Sequence, residues 1–277
     1  MKNITKLLAL VLLLPFAVNA NIDVTVGKKK AQVKPQGYYK TEAGDCAPPV
    51  SQTDMDINNV RTRLLNGGDL WWDLSVARYE VPKANPPGST QALNMLFAGA
   101  IWVSGVDAGG NLKVAAMRYR QVGYDYWAGP LDNKGEVTKT TCVKWDRHFN
   151  VLGTEIEQFQ KAFEAANGTL AASAIAPDVL RWPGKGNPVL AADGFEVSSV
   201  LAPFRDVDGN GIYDPTKGDF PTIYASAFPA PDTLGAYGDQ MIFWVMNDAG
   251  NIHTESSGQG IGIQVNTLAF AFKTTDE

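Results

Sequence analysis

Residues 95–120 read MLFAGAIWVSGVDAGGNLKVAAMRYR, and this stretch decides the fold class. An apolar run over residues 95–103 is followed by a turn that begins at Asp107 and ends at Asn111. A second run follows over residues 112–120. The two glycines inside the turn permit the positive φ angles that hairpin turns require. The stretch therefore predicts a β-hairpin.

A second segment of the same form lies near the C-terminus. Residues 240–246 read QMIFWVM and lead into an Asp-Ala-Gly-Asn turn at 248–251. We expect residues 252–254 to form the return strand of this hairpin. Residues 261–272 have the pattern of a further strand. Glycine is abundant, with 27 in the chain, and tight turns between short strands need it. The sequence predicts a mainly β fold of antiparallel, β-sandwich-like sheets.

One amphipathic helix interrupts the strands. Thr154 and Glu157 have the spacing of a capping box at its start. Asn167-Gly168 supplies a stop signal. Apolar residues recur at helical spacing between them and predict one face packed on a sheet. These residues are Ile156, Phe159, Ala162, Phe163 and Ala166.

The N-terminus has the features of a secretory signal peptide. Lys2 and Lys6 precede an apolar run, residues 7–18, and Val18-Asn19-Ala20 suits a signal peptidase. The alternative is a membrane anchor, but the run is shorter than the roughly 20 residues that a span needs. We expect a signal peptide over residues 1–20, an extended segment over 21–53 and a β-rich domain over 54–277. The expected location is secreted or at the cell surface, with no membrane span after cleavage.

The charge balance excludes some classes of partner. The net charge of the chain is −5, and residues 1–20 hold two lysines and no acid, so the remainder carries about −7. That acidity disfavours nucleic acid and anionic lipid. An unidentified surface partner or a glycan fits it better.

The two cysteines, Cys46 and Cys142, have alternative interpretations. In an oxidising compartment a disulfide is the default, and it would close a loop of about 96 residues. The alternative is a pair of buried free thiols.

The most specific motif is DVDGNGIYD at residues 206–214. Oxygen-bearing side chains recur at its first, third, fifth and ninth positions, with glycine at the sixth, as in loops that wrap Ca²⁺. The twelfth position, where a bidentate glutamate is usual, holds Lys217, and we expect Asp219 to take that role. The side chain of Ile212 is expected to point into the core. The predicted ligands are Asp206, Asp208, Asn210, the Ile212 carbonyl, Asp214 and Asp219. The alternative is an Asp/Asn/Gly-rich turn without a metal.

A weaker signal is the mixture of carboxylates and aromatics earlier in the chain. Such a mixture lines sugar-binding grooves, where paired carboxylates serve as acid and base. The alternative is that the rings are core or sheet-face residues. The carboxylates are Asp69, Asp73, Asp125 and Asp132, and the rings are Trp71, Trp72, Tyr124, Tyr126 and Trp127. A Gly-x-Ser-x-Gly motif is absent, and no catalytic residue is predicted.

Several short segments together resemble the N-terminal region of large surface proteins of Bacteroidota that leave the cell through the type IX secretion system. The resemblance covers most of residues 54–272. Such proteins usually continue into β-sandwich modules and a sorting domain, so it implies that this chain is a fragment. The segments are DINNVR (56–61), NGGDLWWD (66–73), YEVP (79–82), FAGAIW (97–102), LKVAA (112–116), YRQ (119–121), WAGPL (127–131), 206–221 and GDQ (238–240).

These observations predict a non-enzymatic, calcium-stabilised module for adhesion, envelope structure or display, with enzymatic activity left open. The alternative is a carbohydrate-binding module or a glycoside hydrolase. The terminal strand over residues 261–272 has no closing turn after it. We therefore expect it to pair with another copy or with a missing C-terminal part of its own protein.

Overall fold

A computed structural model describes residues 44–84, 93–119, 121–199, 201–223 and 235–273. The chain divides into two units, Met1–Tyr39 and Lys40–Glu277, and every described residue belongs to the second. The predicted signal peptide, residues 1–20, lies outside the described residues, as does most of the segment 21–53. Of the latter, residues 44–51 have no regular secondary structure.

The described residues form short antiparallel strands and four short helices. The strands are β1 Gln52–Met55, β2 Arg61–Leu65, β3 Asp69–Leu70, β4 Tyr79–Glu80, β5 Asn94–Leu96, β6 Gly99–Ala100, β7 Trp102–Val106, β8 Leu112–Ala116, β9 Trp127–Ala128, β10 Phe149–Leu152, β11 Phe204–Arg205, β12 Phe220–Pro221, β13 Gln240–Asn247 and β14 Gln264–Ala271. The helices are α1 Lys139–Trp145, α2 Gly153–Ala165, α3 Pro177–Leu180 and α4 Pro188–Ala192. The predicted mainly β fold with antiparallel sheets is confirmed.

The strands are grouped into two larger sheets and two isolated pairs. The first sheet has the order β5-β4-β2-β3-β6, with β1 paired to the side of β2. The second has the order β10-β13-β14, with β9 also paired to β13. The pairs are β7 with β8 and β11 with β12.

Strand β13 is the centre of the molecule because all of its eight residues are buried. Its uninterrupted apolar sequence suits a strand that is covered on both faces. Met241, Phe243 and Val245 enter one hydrophobic core, which the helices cover. Residues 242, 244 and 246 enter a second core together with Met55 and Leu64 of the first sheet. We call these the helix-side core and the sheet-side core.

The first predicted hairpin forms, but over shorter strands. β7 pairs with β8 around the turn from Asp107 to Asn111, whose backbone closes by a 3.0 Å hydrogen bond from the Asp107 N–H to the Asn111 carbonyl. The run 95–103 breaks into β5, β6 and the start of β7. Gly99 marks the break, since a Cβ atom there would lie 2.6 Å from the indole of Trp71.

The second predicted hairpin is wrong in its return strand. Residues 252–254 do not pair with β13, and β14 does so instead, from Gln240 opposite Ala271 to Asn247 opposite Gln264. The reason is Asp248, whose buried carboxylate accepts the N–H groups of residues 261, 262 and 263. Asp248 therefore closes a long loop, and the chain returns only after it.

Helix α2 buries most of the predicted face, with Ile156 and Phe159 in the helix-side core and Phe163 against it. Ala166, the last residue of that face, is exposed. Its predicted start is wrong. The helix begins at Gly153, directly after β10, and Glu155 accepts the N–H of Leu152 at 2.8 Å. Thr154 is exposed and does not cap. The predicted stop is confirmed, since Asn167 and Gly168 both have positive φ.

The predicted disulfide is confirmed. Cys46 and Cys142 are bonded, with their Cα atoms 5.8 Å apart. Cys142 lies in α1, so the bridge attaches the irregular segment 44–51 to this helix. Trp127 and Val137 pack around the bridge in a small cluster.

Candidate metal centre

The acidic loop connects the end of β11 to β12. Phe204 and Phe220, one in each of these strands, are anchored in the helix-side core. Tyr213 is also buried there, and its hydroxyl donates to the Val179 carbonyl of α3. The loop is therefore fixed to the core at its two ends and near its middle.

Tyr213 occupies the position that the sequence assigned to Ile212. The side chain of Ile212 is 44% exposed, so the prediction that it points into the core is wrong. Adjacent residues of an extended loop point to opposite sides, and the aromatic ring, which has the larger apolar area, is the one that is buried. Ile212 instead lies beside Gly186, where a Cβ atom would meet its side chain at 3.0 Å.

Three carboxylates of the loop come together. One oxygen from each of Asp206, Asp208 and Asp219 lies within 4.8 Å of the others. Asp219 is fully buried, Asp206 is half-buried and Asp208 is exposed. A group of oxygen donors with one open side could hold a metal ion, and hard cations prefer such donors.

Backbone geometry explains why Asp219 joins the cluster although it lies beyond the usual twelfth position. Residues Pro215–Lys217 form a single 3₁₀ turn, which ends at Gly218 with a φ of 104°. This left-handed residue reverses the chain, so Lys217 stays exposed and Asp219 points back at the loop. A Cβ atom at Gly218 would lie 2.8 Å from the ring of Phe163, so only glycine fits this turn.

Hydrogen bonds hold the carboxylates in place. Asp219 accepts the N–H groups of Val207 and Asp214, both at 2.8 Å. Asp206 accepts the N–H groups of residues 209 and 211 at 2.8 and 2.7 Å. The donors are backbone groups of the same loop, so the loop is folded around the side chains that would bind the ion.

The electrostatics of the cluster favour a cation. Burial and the negative charges of Asp206 and Asp208 together raise the pKa of Asp219 to about 6, although two backbone hydrogen bonds act to lower it. A bound cation would replace this repulsion with attraction.

The other predicted ligands are placed differently. The Asp214 carboxylate accepts the N–H and the hydroxyl of Thr216, so it caps the 3₁₀ turn. The Asn210 amide donates to Asp208 and accepts the N–H of Ile212. Their roles as ligands, and that of the Ile212 carbonyl, stay predictions.

The aromatic and acidic residues proposed for a sugar groove are mostly structural. Trp72, Tyr126 and Trp127 are buried. Trp71 and Tyr124 are half-buried, so the five rings do not form an exposed face. Asp69 accepts the indole N–H of Trp72 at 2.9 Å, and burial raises its pKa. Asp125 is fully buried and accepts the N–H groups of Ala116, Glu255 and Ser256.

The remaining two carboxylates of that set close turns. Asp73 accepts N–H groups of residues 75 and 76 and pairs with Arg78, and its pKa is about 2. Burial acts to raise the pKa of Asp73, but the hydrogen bonds from the backbone of its own loop and from Arg78 lower it by more. Asp132 accepts N–H groups of residues 134 and 136, which lower its pKa.

None of the helices in the described part of the chain combines the length and the apolar character that a bilayer span requires. Comparisons of the chain with protein-family models, with curated proteins and with solved structures gave no match.

Proposed function

We propose that this chain is an exported, non-enzymatic module of the cell surface or exterior, stabilised by calcium, with a role in adhesion, envelope structure or the display of further domains. The observation that carries the proposal is the cluster of Asp206, Asp208 and Asp219 in a loop fixed to the core. The ion would tie β11 to β12 and so act on stability.

Calcium is the cation that this donor set fits best. The three nearby groups offer only carboxylate oxygens, and backbone and amide oxygens of the same loop can complete the six to eight that Ca²⁺ takes. Zinc would be expected to have nitrogen or sulfur ligands. Exterior calcium occupies even a site with a dissociation constant of about 10⁻⁴ to 10⁻³ M.

Export is supported by two independent features. The basic and apolar pattern of residues 1–20 is that of a signal peptide. The bonded pair of Cys46 and Cys142 belongs in an oxidising compartment. The resemblance to type IX secretion cargo agrees with both.

The first test is thermal unfolding of the purified chain in excess calcium and in EGTA. At about 10 mM calcium, the affinities above predict stabilisation by about 1–3 kcal/mol, which raises the midpoint by roughly 3–10 °C. Asp208→Ala should lose this response and melt at the same temperature in both buffers. Asp208 is the right choice because it is exposed, so its removal leaves the core untouched.

A matched control is Asp107→Ala in the turn of the first hairpin. Asp107 also accepts N–H groups in an Asp/Gly/Asn turn, but it is not part of the acidic cluster. The Asp107→Ala variant should lower the midpoint of thermal unfolding by the same amount in calcium and in EGTA. A calcium response that survives Asp208→Ala, or no response in the wild type, contradicts the calcium site. Turnover of a polymer that is lost on changing one carboxylate contradicts the non-enzymatic role.

A further inference from the structure

The molecule has a second concave feature, which is separate from the acidic loop. It is a pocket of about 520 Å³ between the loop after β3 and the segment before β9. Its lining includes Trp72, Leu74, Phe97, Tyr119, Gln121 and Tyr124. The volume lies within the range of small-molecule sites in proteins.

One wall of the pocket is a tight loop held in an uncommon conformation. Trp71 and Leu74 have φ angles of 72° and 69°, which bulky residues rarely adopt. The loop closes through the Arg78 N–H, which donates to the Trp71 carbonyl at 2.6 Å, and through Asp73, whose carboxylate accepts from residues inside the loop. Such outliers persist only where the surroundings enforce them, and they concentrate at binding sites.

The opposite wall is held by a buried acid. Glu255 accepts the N–H groups of Val122 and Gly123, at 2.8 and 2.6 Å, and pairs with Arg118. The backbone of Thr254 lies so close to Gly123 that a Cβ atom there would approach it to 2.4 Å. Both walls are therefore pre-organised, which lowers the entropic cost of binding a ligand.

The lining determines the chemical class of the ligand. Phe97 is 52% exposed, and its ring lies 6.0 Å from that of Tyr119 and 6.4 Å from that of Trp72. The apolar faces of aromatic rings suit the C–H groups of a ligand. The described residues that line the pocket include no Asp, Glu, Lys, Arg or His, so they offer a charged ligand no counter-charge.

Two polar side chains of the pocket offer hydrogen-bond acceptors. The Gln121 amide donates its N–H to the Gly123 carbonyl at 3.1 Å, which leaves its Oε1 for a ligand. Ser75 donates its hydroxyl hydrogen to Asp73 at 2.8 Å, which leaves its Oγ as an acceptor. A ligand that fits has hydroxyl groups on one side and C–H groups on the other. We propose that this pocket binds a neutral sugar unit of a glycan.

This site differs from the groove expected from the sequence. Trp72 and Tyr124 are shared with it, while the exposed rings are those of Phe97 and Tyr119. No pair of carboxylates is found among the described residues that line the pocket. The proposal is therefore binding without hydrolysis. A single hexose is expected to bind with a dissociation constant on the order of 1 mM, as is usual for a ligand of about 12 non-hydrogen atoms.

The test is calorimetric titration of the purified chain with hexaoses of glucose, mannose, xylose and galactose. Charged controls are a polygalacturonate hexamer and a heparin hexamer, and a proline-rich peptide tests the other ligand that aromatic pockets accept. At least one neutral hexaose should bind saturably, and the charged ones should not. Phe97→Ala should weaken that binding at least tenfold.

The matched control is Phe272→Ala, because Phe272 is 46% exposed and lies outside the pocket. It should leave the affinity unchanged, and circular dichroism should show both variants folded. The proposal is overturned if no neutral hexaose binds, if only the charged sugars or the peptide bind, or if Phe97→Ala binds as tightly as the wild type. None of these outcomes depends on calcium at the acidic loop, so the two proposals fail separately.

Discussion

His148 is a half-buried residue whose two ring nitrogens are buried. It lies just before β10, its ring centroid is 5.0 Å from that of Trp244, and neither ring nitrogen has a hydrogen-bond partner among the described residues. Burial lowers the pKa of the imidazole to about 4, and the nearby Asp146 charge opposes this shift only weakly. The folded protein therefore holds His148 in its neutral form at neutral pH.

This arrangement predicts a loss of stability in mild acid. The unfolded chain binds a proton at His148 near pH 6.5, whereas the folded chain binds it only near pH 4. The unfolded state therefore holds more protons between these values, so the free energy of unfolding falls as the pH falls. Between pH 7 and pH 5 the loss from this group is about 2 kcal/mol.

His148→Phe fills similar space and does not titrate, so it should remove that share of the pH dependence. The measurement is urea unfolding of both proteins at pH 7 and pH 5. The raised pKa of Asp219 has the opposite effect, because it makes the folded state more stable as the pH falls. This effect is the same in both proteins, so it cancels when their losses of stability are compared. Equal losses of stability in the two proteins would show that His148 is not buried in its neutral form.

At the residue scale, the sequence predicts the acidic loop in part. The spacing of Asp206 and Asp208 around glycines predicts that their carboxylates lie close together, because the turn is local. Asp219 could be predicted only as an alternative, since its position depends on Gly218 and on the contact with Phe163. Helix α3, which is distant in sequence, decides whether Ile212 or Tyr213 enters the core. The local pattern predicted Ile212, and the structure buries Tyr213.

The disulfide connects the segment 44–51 to helix α1. The segment 44–51 is irregular, and it meets α1 through the bridge and through the N–H groups of Val50 and Ser51, which donate to the Asp146 carboxylate. It also contacts the loop after β13, through Gly250 and Asn251, and its Ser51 carbonyl accepts the N–H of Asn66 at 3.1 Å. The bridge thus attaches the first described residues to the rest of the fold.

Replacing both cysteines with serine should cost about 4–5 kcal/mol, because the bridge closes a loop of 96 residues in the unfolded chain. The midpoint of thermal unfolding should fall by roughly 10–20 °C. Reductant should lower the midpoint of the wild type and leave that of the double variant unchanged. A double variant that melts within a degree or two of the wild type would show that the bridge adds little.

At the element scale, turns are predicted better than strand ends. The turn from Asp107 to Asn111 and the stop at Asn167-Gly168 form as expected, since both depend on local φ preferences. The return strand after β13 does not, because a buried carboxylate decides the length of that loop. Phe97 was not predicted as a pocket residue for a related reason. The run 95–103 has the pattern of one strand, whereas the structure divides it near Gly99, which packs against Trp71.

At the scale of the whole molecule, β13 lies between the two cores. Met241 and Met246 are both buried on this strand but point to opposite faces, Met241 into the helix-side core and Met246 into the sheet-side core. A strand shared by two cores couples them, because neither core can open without exposing one face of it. The acidic loop is attached to the helix-side core only.

This coupling predicts that residues 54–277 unfold as one cooperative unit. Met241→Ala and Met246→Ala remove the same side-chain atoms from the two cores, and each should cost about 2–5 kcal/mol. Tryptophan fluorescence, to which Trp182 in one core and Trp244 in the other both contribute, should give the same midpoint as far-UV circular dichroism in both variants. Calcium should raise that common midpoint, although its loop contacts one core. Two separate transitions, or a calcium shift seen by one probe and not by the other, would mean that the cores are independent and that β13 does not transmit stability between them.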